Sequence, residues 1–263
     1  FQLWNRSFGW GVFSVALLTY MLTVEPTASF WDAGEYIATA AKLQVGHPPG
    51  APLFQMIGAF FALFATSSEN IALMVNHMSV FSSAFTILFL FWTLTLLMKK
   101  LPAFETLDNT AERLTFFGSA AVGALAFCFS DSFWFNAVEA EVYAMATFIL
   151  SLLFWLGLRW EQDMNTLRGD RWILLISFVI GLSFGVHFMG LLTIPAIGMI
   201  YYFKNTPKVT FKGFMIANGV SVAVLLFIFK LLLPTTLAFF GNAEVFFVNK
   251  MGLPFNSGTL IAG

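Results

Sequence analysis

Charge is what this sequence lacks. Of its 263 residues only 10% are Asp, Glu, Lys or Arg, against about 25% in a soluble globular domain, which excludes an ordinary soluble fold. The net charge of −1 gives no basic field of the kind that holds nucleic acid, so nucleic acid is not expected as a partner. The single cysteine, Cys128, cannot close an internal disulfide and says nothing of redox compartment. No His and acidic residues stand at zinc-type local spacing, no glycine loop is of the phosphate-cradling kind, and no serine-centred elbow occurs.

What is present is apolar. Hydrophobic residues make up 59% and aromatics 18%, mostly Phe, and the mean hydropathy is +0.81. A helix needs about 20 apolar residues to cross a bilayer. Stretches of that kind recur over Phe8–Val24, Ile71–Met98, Leu114–Ser130, Val142–Leu158, Trp172–Val186, Phe188–Phe203 and Gly213–Leu233. The segments Lys99–Arg113, Arg159–Arg171 and Lys204–Lys212 each carry three Lys or Arg, and Arg6 precedes the first stretch. The bias of basic loops to the cytoplasm puts these on one side. Glu25–Pro52, Asp131–Glu141 and the stretch after Leu233 then fall on the other. Pro52–Thr66 breaks that pattern if it crosses, because Lys99 and Lys100 would then lie outside. At 1.5 Å per residue it reaches about 22 Å, short of a hydrocarbon core of about 30 Å. It therefore reads as an interfacial helix.

The expectation is an all-α polytopic membrane protein with about seven transmembrane helices, the amino end inside, and interfacial helices in an outer loop over 25–70. The chain opens on Phe1 rather than Met and stops in an apolar run, which predicts a piece of a longer protein. The first apolar stretch has no small-residue cleavage site behind it and reads as a retained helix. Gly181, Gly185, Gly190 and Pro195 interrupt two short stretches that meet at His187. Irregular backbone at membrane depth is tolerated where protein or a water-filled cavity surrounds it, so the junction is a cavity wall or an ordinary tight hairpin.

The chemistry-bearing residues collect on the outer side. Phe30-Trp31-Asp32-Ala33-Gly34-Glu35-Tyr36 leads into a helix-prone run over Ala33–Val45. Asp32 reads in two ways: as a base at the membrane interface, or as the N-cap of a capping box with Glu35 at the third helical position. Spacing alone favours the cap. His47-Pro48-Pro49-Gly50 is a rigid turn, with His47 either part of a linker or a donor to an anionic ligand. Glu139 and Glu141 precede an apolar run that begins beside Tyr143. A carboxylate entering such a run is costly unless it meets a cavity, a cation or water, although Glu139 is shallow enough to be merely solvated. Their spacing turns them about 200° apart on a helix. His77, His187 and Lys230 complete the outer set, and Lys230 reads equally as a snorkelling side chain.

Trp31-Asp32-x-Gly34-Glu35, His47-Pro48-Pro49-Gly50-x-Pro52-Leu53, Ala140-Glu141-Val142-Tyr143 and Gly181-Leu182-x-x-Gly185-Val186-His187, in that order, resemble the GT-C glycosyltransferases. Within them the chain is most similar to the large bacterial family formerly of unknown function that includes a eukaryotic protein O-mannosyltransferase. The resemblance implies a GT-C helical bundle as an N-terminal transmembrane module over 1–263. It also implies transfer of a sugar, mannose foremost, from a polyprenyl-phosphate donor to a hydroxyl acceptor, on protein Ser or Thr or on a glycan. Asp32 takes the catalytic carboxylate by this resemblance, with Glu35 beside it. His47, His77, His187 and Lys230 would line the donor site, and Glu139, Glu141 and Tyr143 the acceptor or a cation. Many members carry an arginine where this chain has Asn76-His77, so the resemblance leaves the phosphate clamp open among His77, His187 and Lys230. It also leaves open a divalent cation, which some members use and others do not. The implied setting is a bacterial inner membrane with the active face periplasmic. The rival readings are a lipid-linked-sugar transporter or flippase, and a membrane subunit without activity. An absence of clear internal repeats stands against the transporter.

Overall fold

The computed structural model describes residues 1–48 and 50–263, so Pro49 of the His-Pro-Pro-Gly turn lies outside the described residues. Those residues form helices and turns, with no strand among them. They make two compact units, Phe1–Thr193 and Ile194–Gly263.

The first unit is built on α1 (Gln2–Thr23), the short α2 (Ala33–Lys42) and α3 (Pro52–Ala62), α4 (Ile71–Met98), α5 (Thr110–Cys128), α6 (Asp131–Ala137), α7 (Val142–Asp163) and α8 (Gly169–Ser183). The long α4 is its axis and touches α1, α3, α5 and α7. Helical spacing puts Val12, Ala16 and Tyr20 on one face of α1, Val80, Ala84, Ile87 and Phe91 on one face of α4, and Phe116, Phe117, Ala120, Ala124 and Cys128 on one face of α5. Alanine recurs in each stripe, which lets the helix backbones approach closely. The Tyr20 hydroxyl, buried in that seam, donates to the Cys128 carbonyl at 2.8 Å, so its polar tip costs little. Many large apolar side chains, Leu18, Leu22 and Val122 among them, remain exposed, as lipid-facing positions do and soluble surfaces rarely do.

Among the described residues three helical stretches are long and apolar enough to cross a membrane: Ser68–Met98, Val142–Asp163 and Phe211–Lys250. A fourth results if α5 and α6, bent by 70° at their junction, count together. The expected seven therefore stand at three to four by length and composition. Gln2–Thr23 has the length but is diluted by Gly, Ser, Thr and Trp, and α8 at 15 residues reaches only about 22 Å. The segment starting at Pro52 forms a helix of 11 residues, about 16 Å, too short to cross a hydrocarbon core of about 30 Å.

The two ends of the bundle differ. At one end Lys99 lies over the Phe1 ring at 4.8 Å and Lys100 pairs with Glu161. At the other end Glu25 N–H donates to the Val138 carbonyl at 3.0 Å, and α2 and α3 pack over the start of α4. After α8 the chain turns through an extended His187 into a 3-10 segment, Phe188–Leu192.

The second unit carries α9 (Thr193–Asn205), α10 (Phe211–Phe227), α11 (Leu233–Glu244) and α12 (Ser257–Ala262). The expected exit from helix at Leu233 does not occur. Helix runs through a π segment at Ile228–Leu232 into α11 and ends in a second one at Val245–Lys250. Pro234 accounts for the first: its ring removes an N–H and crowds the preceding turn, which widens locally instead of breaking.

One contact fixes the outer end of the first unit. The N–H groups of Leu53 and Phe54 both donate to the Gly185 carbonyl, at 2.8 and 3.1 Å. A side chain on Gly185 would bring a Cβ to 2.7 Å from Leu53 Cβ, so the approach requires glycine. Gly185→Ala should cost about 1–3 kcal/mol through overpacking, read as a fall in the thermal unfolding midpoint in detergent. Gly181→Ala, with nothing within 4 Å of its Cβ position, should leave it unchanged. Equal midpoints for the two variants would refute the close-contact account.

Candidate functional site

Helix α2 begins after a strained turn. Trp31 has φ +58°, a left-handed conformation that a bulky residue adopts at a cost of about 1–2 kcal/mol, and its ring is 86% exposed. Asp32 follows at the N-cap position, but its side chain makes no capping hydrogen bond. The capping box expected from Asp-x-x-Glu is therefore not formed. Its position is right and its bonding is not, because Glu35 turns to another partner. One Glu35 oxygen accepts from the His47 N–H at 2.6 Å, and the other meets His47 Nδ1 at 3.0 Å. The Asp32 carboxylate, its side chain 57% exposed, stands 3.9 Å from His47 Nε2. Asp32, Glu35 and His47 each offer a possible metal-ligand atom, and these atoms lie within 4.8 Å of one another.

The support beneath this group comes from α3 and from Gly46. Buried Gln55 of α3 bridges the loop: its amide nitrogen donates to the Gln44 carbonyl at 2.9 Å, and its oxygen accepts from the Gly46 N–H at 3.2 Å. A Cβ at Gly46 would lie 2.8 Å from the Gln55 amide and 3.2 Å from the Glu35 carboxylate, so glycine lets Glu35 reach His47. Tyr36 packs beside the imidazole at 6.1 Å and edge-on to Phe54 at 5.2 Å.

Glu141 joins the same group from α7, whose N-cap it occupies. It is 6% exposed, one of its carboxylate oxygens is buried with no hydrogen-bond partner, and the carboxylate lies against the Asp32 backbone N–H. Burial, with Glu139 and Asp32 adding repulsion, pushes its pKa up to about 7. Glu35 moves the other way, held low by the hydrogen bonds from His47. His47 is raised, first by its hydrogen bond to Glu35 and then by that carboxylate's charge. Burial, followed by the charges of Glu141, Asp32 and Glu35, lifts the Tyr36 phenol to about 12.

The remaining predicted residues separate. Glu139 is 3% exposed and accepts a hydrogen bond from the Ser29 hydroxyl, beside a cavity of about 440 Å³ lined by Glu25, Ser29, Phe30, Phe135 and Glu139. It is thus not simply solvated. Half-exposed Tyr143 lies tilted beside His187, ring centroids 5.5 Å apart, and His187 Nδ1 accepts from the Met189 N–H at 3.2 Å, which places its proton on Nε2. His77 directs Nδ1 at the Leu73 carbonyl of its own helix, 2.6 Å away. Among the described residues no hydrogen bond or ion pair joins it to Asp32, Glu35 or His47. Lys230 belongs to the second unit, with its ammonium 5.3 Å from the Phe229 ring.

Sequence reasoning missed Asn76, Ser29 and Gln55 as supports. Asn76 is fully buried, and its amide nitrogen donates to the Glu25 and Thr27 carbonyls at 2.7 and 2.9 Å. A lone amide at the start of an apolar helix was the available signal. Its partners are backbone carbonyls distant in sequence, which no motif names.

A family model described as the protein O-mannosyl-transferase TMEM260 N-terminal domain matches residues 32–210, a span that begins at Asp32. The chain is 25% identical over 162 residues to a protein O-mannosyl-transferase tmem260 of Dictyostelium discoideum, covering 61% of this chain and 18% of the relative. It is 30% identical over 176 residues to protein O-mannosyl-transferase TMEM260 of Mus musculus, covering 65% of this chain and 22% of the relative. The matches thus span about a fifth of either relative's length. No solved structure matches the chain.

Burial raises Glu139 above its ordinary value of 4.5, so the folded state keeps its proton to higher pH than the unfolded chain does. Its contribution to stability therefore declines as pH rises from about 4.5 through the raised value. Glu139→Gln should remove that decline, so that the unfolding midpoints of variant and wild type diverge in the variant's favour as pH rises. Parallel pH profiles would contradict the burial account.

Proposed function

The chain belongs to the protein O-mannosyl-transferase TMEM260 N-terminal domain family, and from that premise we propose that it forms the membrane-embedded catalytic part of a GT-C-type glycosyltransferase. The reaction moves a mannosyl group from a polyprenyl phosphate to the hydroxyl of a protein Ser or Thr. The observation that carries the reading is the Asp32 carboxylate, released from its helix cap and held at a water-accessible edge beside His47.

Asp32 takes the proton from the acceptor hydroxyl as its oxygen attacks the anomeric carbon. The bond from that carbon to the phosphate oxygen breaks, and the polyprenyl phosphate departs with the electron pair. One base suffices because a phosphate leaves without strong protonation, and a single displacement inverts the anomeric centre. His47, kept cationic to higher pH by Glu35, offers positive charge to the phosphate as its own negative charge grows. His187, with its proton on Nε2, is a second donor for the same purpose.

A lipid donor finds support in a cavity of about 350 Å³ that includes Leu53, Ile57, Phe81, Phe85, Phe148 and Val179 among its lining residues. It starts beside the first turn of α3 and is almost wholly apolar, as an isoprenoid chain requires. The acceptor enters over Glu139, where the cavity bounded by Phe30 and Phe135 lies. The basic ends of α4 and α7 lie at the opposite end of the bundle. Under the positive-inside bias this arrangement supports a site on the periplasmic or lumenal face. Seven crossings with the amino end inside remain the topology that satisfies this bias.

With full-length protein, a labelled polyprenyl-phosphate mannose and a Ser/Thr peptide, Asp32→Asn should lower transfer by about 10²–10⁴-fold, the range of a lost general base, with folding intact. Wild-type rates in that variant would remove Asp32 from the reaction. Movement of the labelled lipid across a vesicle membrane without a glycosylated product would replace the transferase reading with a transporter.

A further inference from the structure

The cavity over Glu139 has a wall of unlike parts. Glu25 and Glu139 line it with Ser29, and the exposed rings of Phe30 and Phe135 stand beside them. Its volume of about 440 Å³ is that of a small ligand pocket. Glu139 is 3% exposed. One of its oxygens accepts from the Ser29 hydroxyl, and the other takes no hydrogen bond among the described residues. Half-buried Glu25 uses one oxygen on the Thr27 N–H and hydroxyl, at 3.2 and 2.7 Å.

Charge in this wall is one-sided. Among the described residues the ion pairs join His47 to Asp32 and Glu35, and Lys100 to Glu161, so neither carboxylate of the cavity meets a cation. Burial raises the Glu139 pKa, the Ser29 hydrogen bond opposes that, and the charge of Glu25 raises it further. The two carboxyl groups therefore repel each other, and a cation held beside both turns that repulsion into attraction. Phenyl rings offer a metal ion no ligand atom, whereas an ammonium or a guanidinium gains from a ring face. A guanidinium suits the wall best, because its flat fork stacks on a ring and still reaches carboxylate oxygens at its edge.

The cavity also lies a short step from the proposed base. Phe30 is two residues before Asp32, at most about 7 Å along the chain. Glu139 is two residues before Glu141, whose carboxylate lies against the Asp32 N–H. An extended peptide covers such a distance in about two or three residues.

We propose that the protein acceptor presents a basic side chain, arginine foremost, within about three residues of the modified Ser or Thr, and that Glu25, Glu139, Phe30 and Phe135 bind it. Such a preference rests on the transferase reading, and it adds the sequence context by which the reacting hydroxyl is chosen.

The probe is a set of fluorescent Ser/Thr peptides carrying either arginine or citrulline, an uncharged side chain of the same shape, at each position up to about three residues from the hydroxyl. Their binding to the full-length protein in detergent is read by anisotropy, which needs no transfer. At the best position arginine should bind at least about tenfold more tightly than citrulline, as charge-assisted contacts do. Glu25→Gln and Glu139→Gln should each bring that ratio down toward one, and Glu25→Asp, which keeps the charge, should preserve it. Glu25→Gln retains an oxygen for Thr27, so its loss of preference is read in a folded protein. Glu105→Gln, beyond the far end of α4, should bind both peptides as wild type does. Equal binding of the arginine and citrulline peptides at every position, or a preference that both Gln variants keep, overturns the inference. So does displacement of the arginine peptide by added phosphatidylethanolamine, which assigns the cavity to a lipid ammonium group. The same peptides separate this from the reaction. Equal binding together with mannosyl transfer to both peptides removes the preference alone, and selective binding of arginine without transfer to any peptide removes the reaction alone.

Discussion

A single carbonyl carries much of the outer end of this protein. A helix that starts at Pro52 needs no partner for that residue's missing N–H, but it leaves the next donors unsatisfied. Gly185 supplies one oxygen to both Leu53 and Phe54. From that junction the dependence runs outward. α3 presents Gln55, Gln55 bridges Gln44 and Gly46, and Gly46 leaves room for Glu35 to reach His47. His47 then faces Asp32. Two of the sequence motifs, far apart in the chain, are thus the two halves of one backbone contact, and the site is its downstream consequence.

The second constraint is electrostatic. Four acidic groups, Asp32, Glu35, Glu139 and Glu141, stand at one end of a largely apolar bundle, where burying charge is costly. The structure meets that cost differently for each. Glu35 keeps its charge by pairing with His47, and Glu139 is buried on the Ser29 hydroxyl. Glu141 sits at the positive N-terminal end of α7 yet retains an unpartnered oxygen. Asp32 stays exposed to water.

Legibility followed the kind of interaction. The shortness of α3 was readable because the length of an apolar run is a property of the sequence. The gathering of Asp32, Glu35, His47 and Glu141 at one end was readable from charge bias together with motif order. The Asp32 cap was misread because spacing can propose a capping box but cannot know that Glu35 has a better partner twelve residues on, reached only once Gly46 and Gln55 shape the loop. His77 was grouped with the donor residues by depth alone, whereas its ring is occupied by its own helix. The helix that continues past Leu233 escaped because Pro234 normally ends a helix, and a π turn absorbing it is a local compromise that composition does not announce.

By itself the sequence determined the class of the protein, its two unlike ends and its resemblance to the GT-C enzymes, since these rest on hydropathy, on basic-residue bias and on short motifs in order. Only the tertiary structure decided which polar groups meet. Asn76 holds the Glu25 and Thr27 carbonyls, Gly185 holds α3, and Asp32 leaves its cap to stand opposite His47. Hydrogen bonds between residues tens of positions apart depend on how helices pack, and packing is a property of the whole fold rather than of any window along the chain.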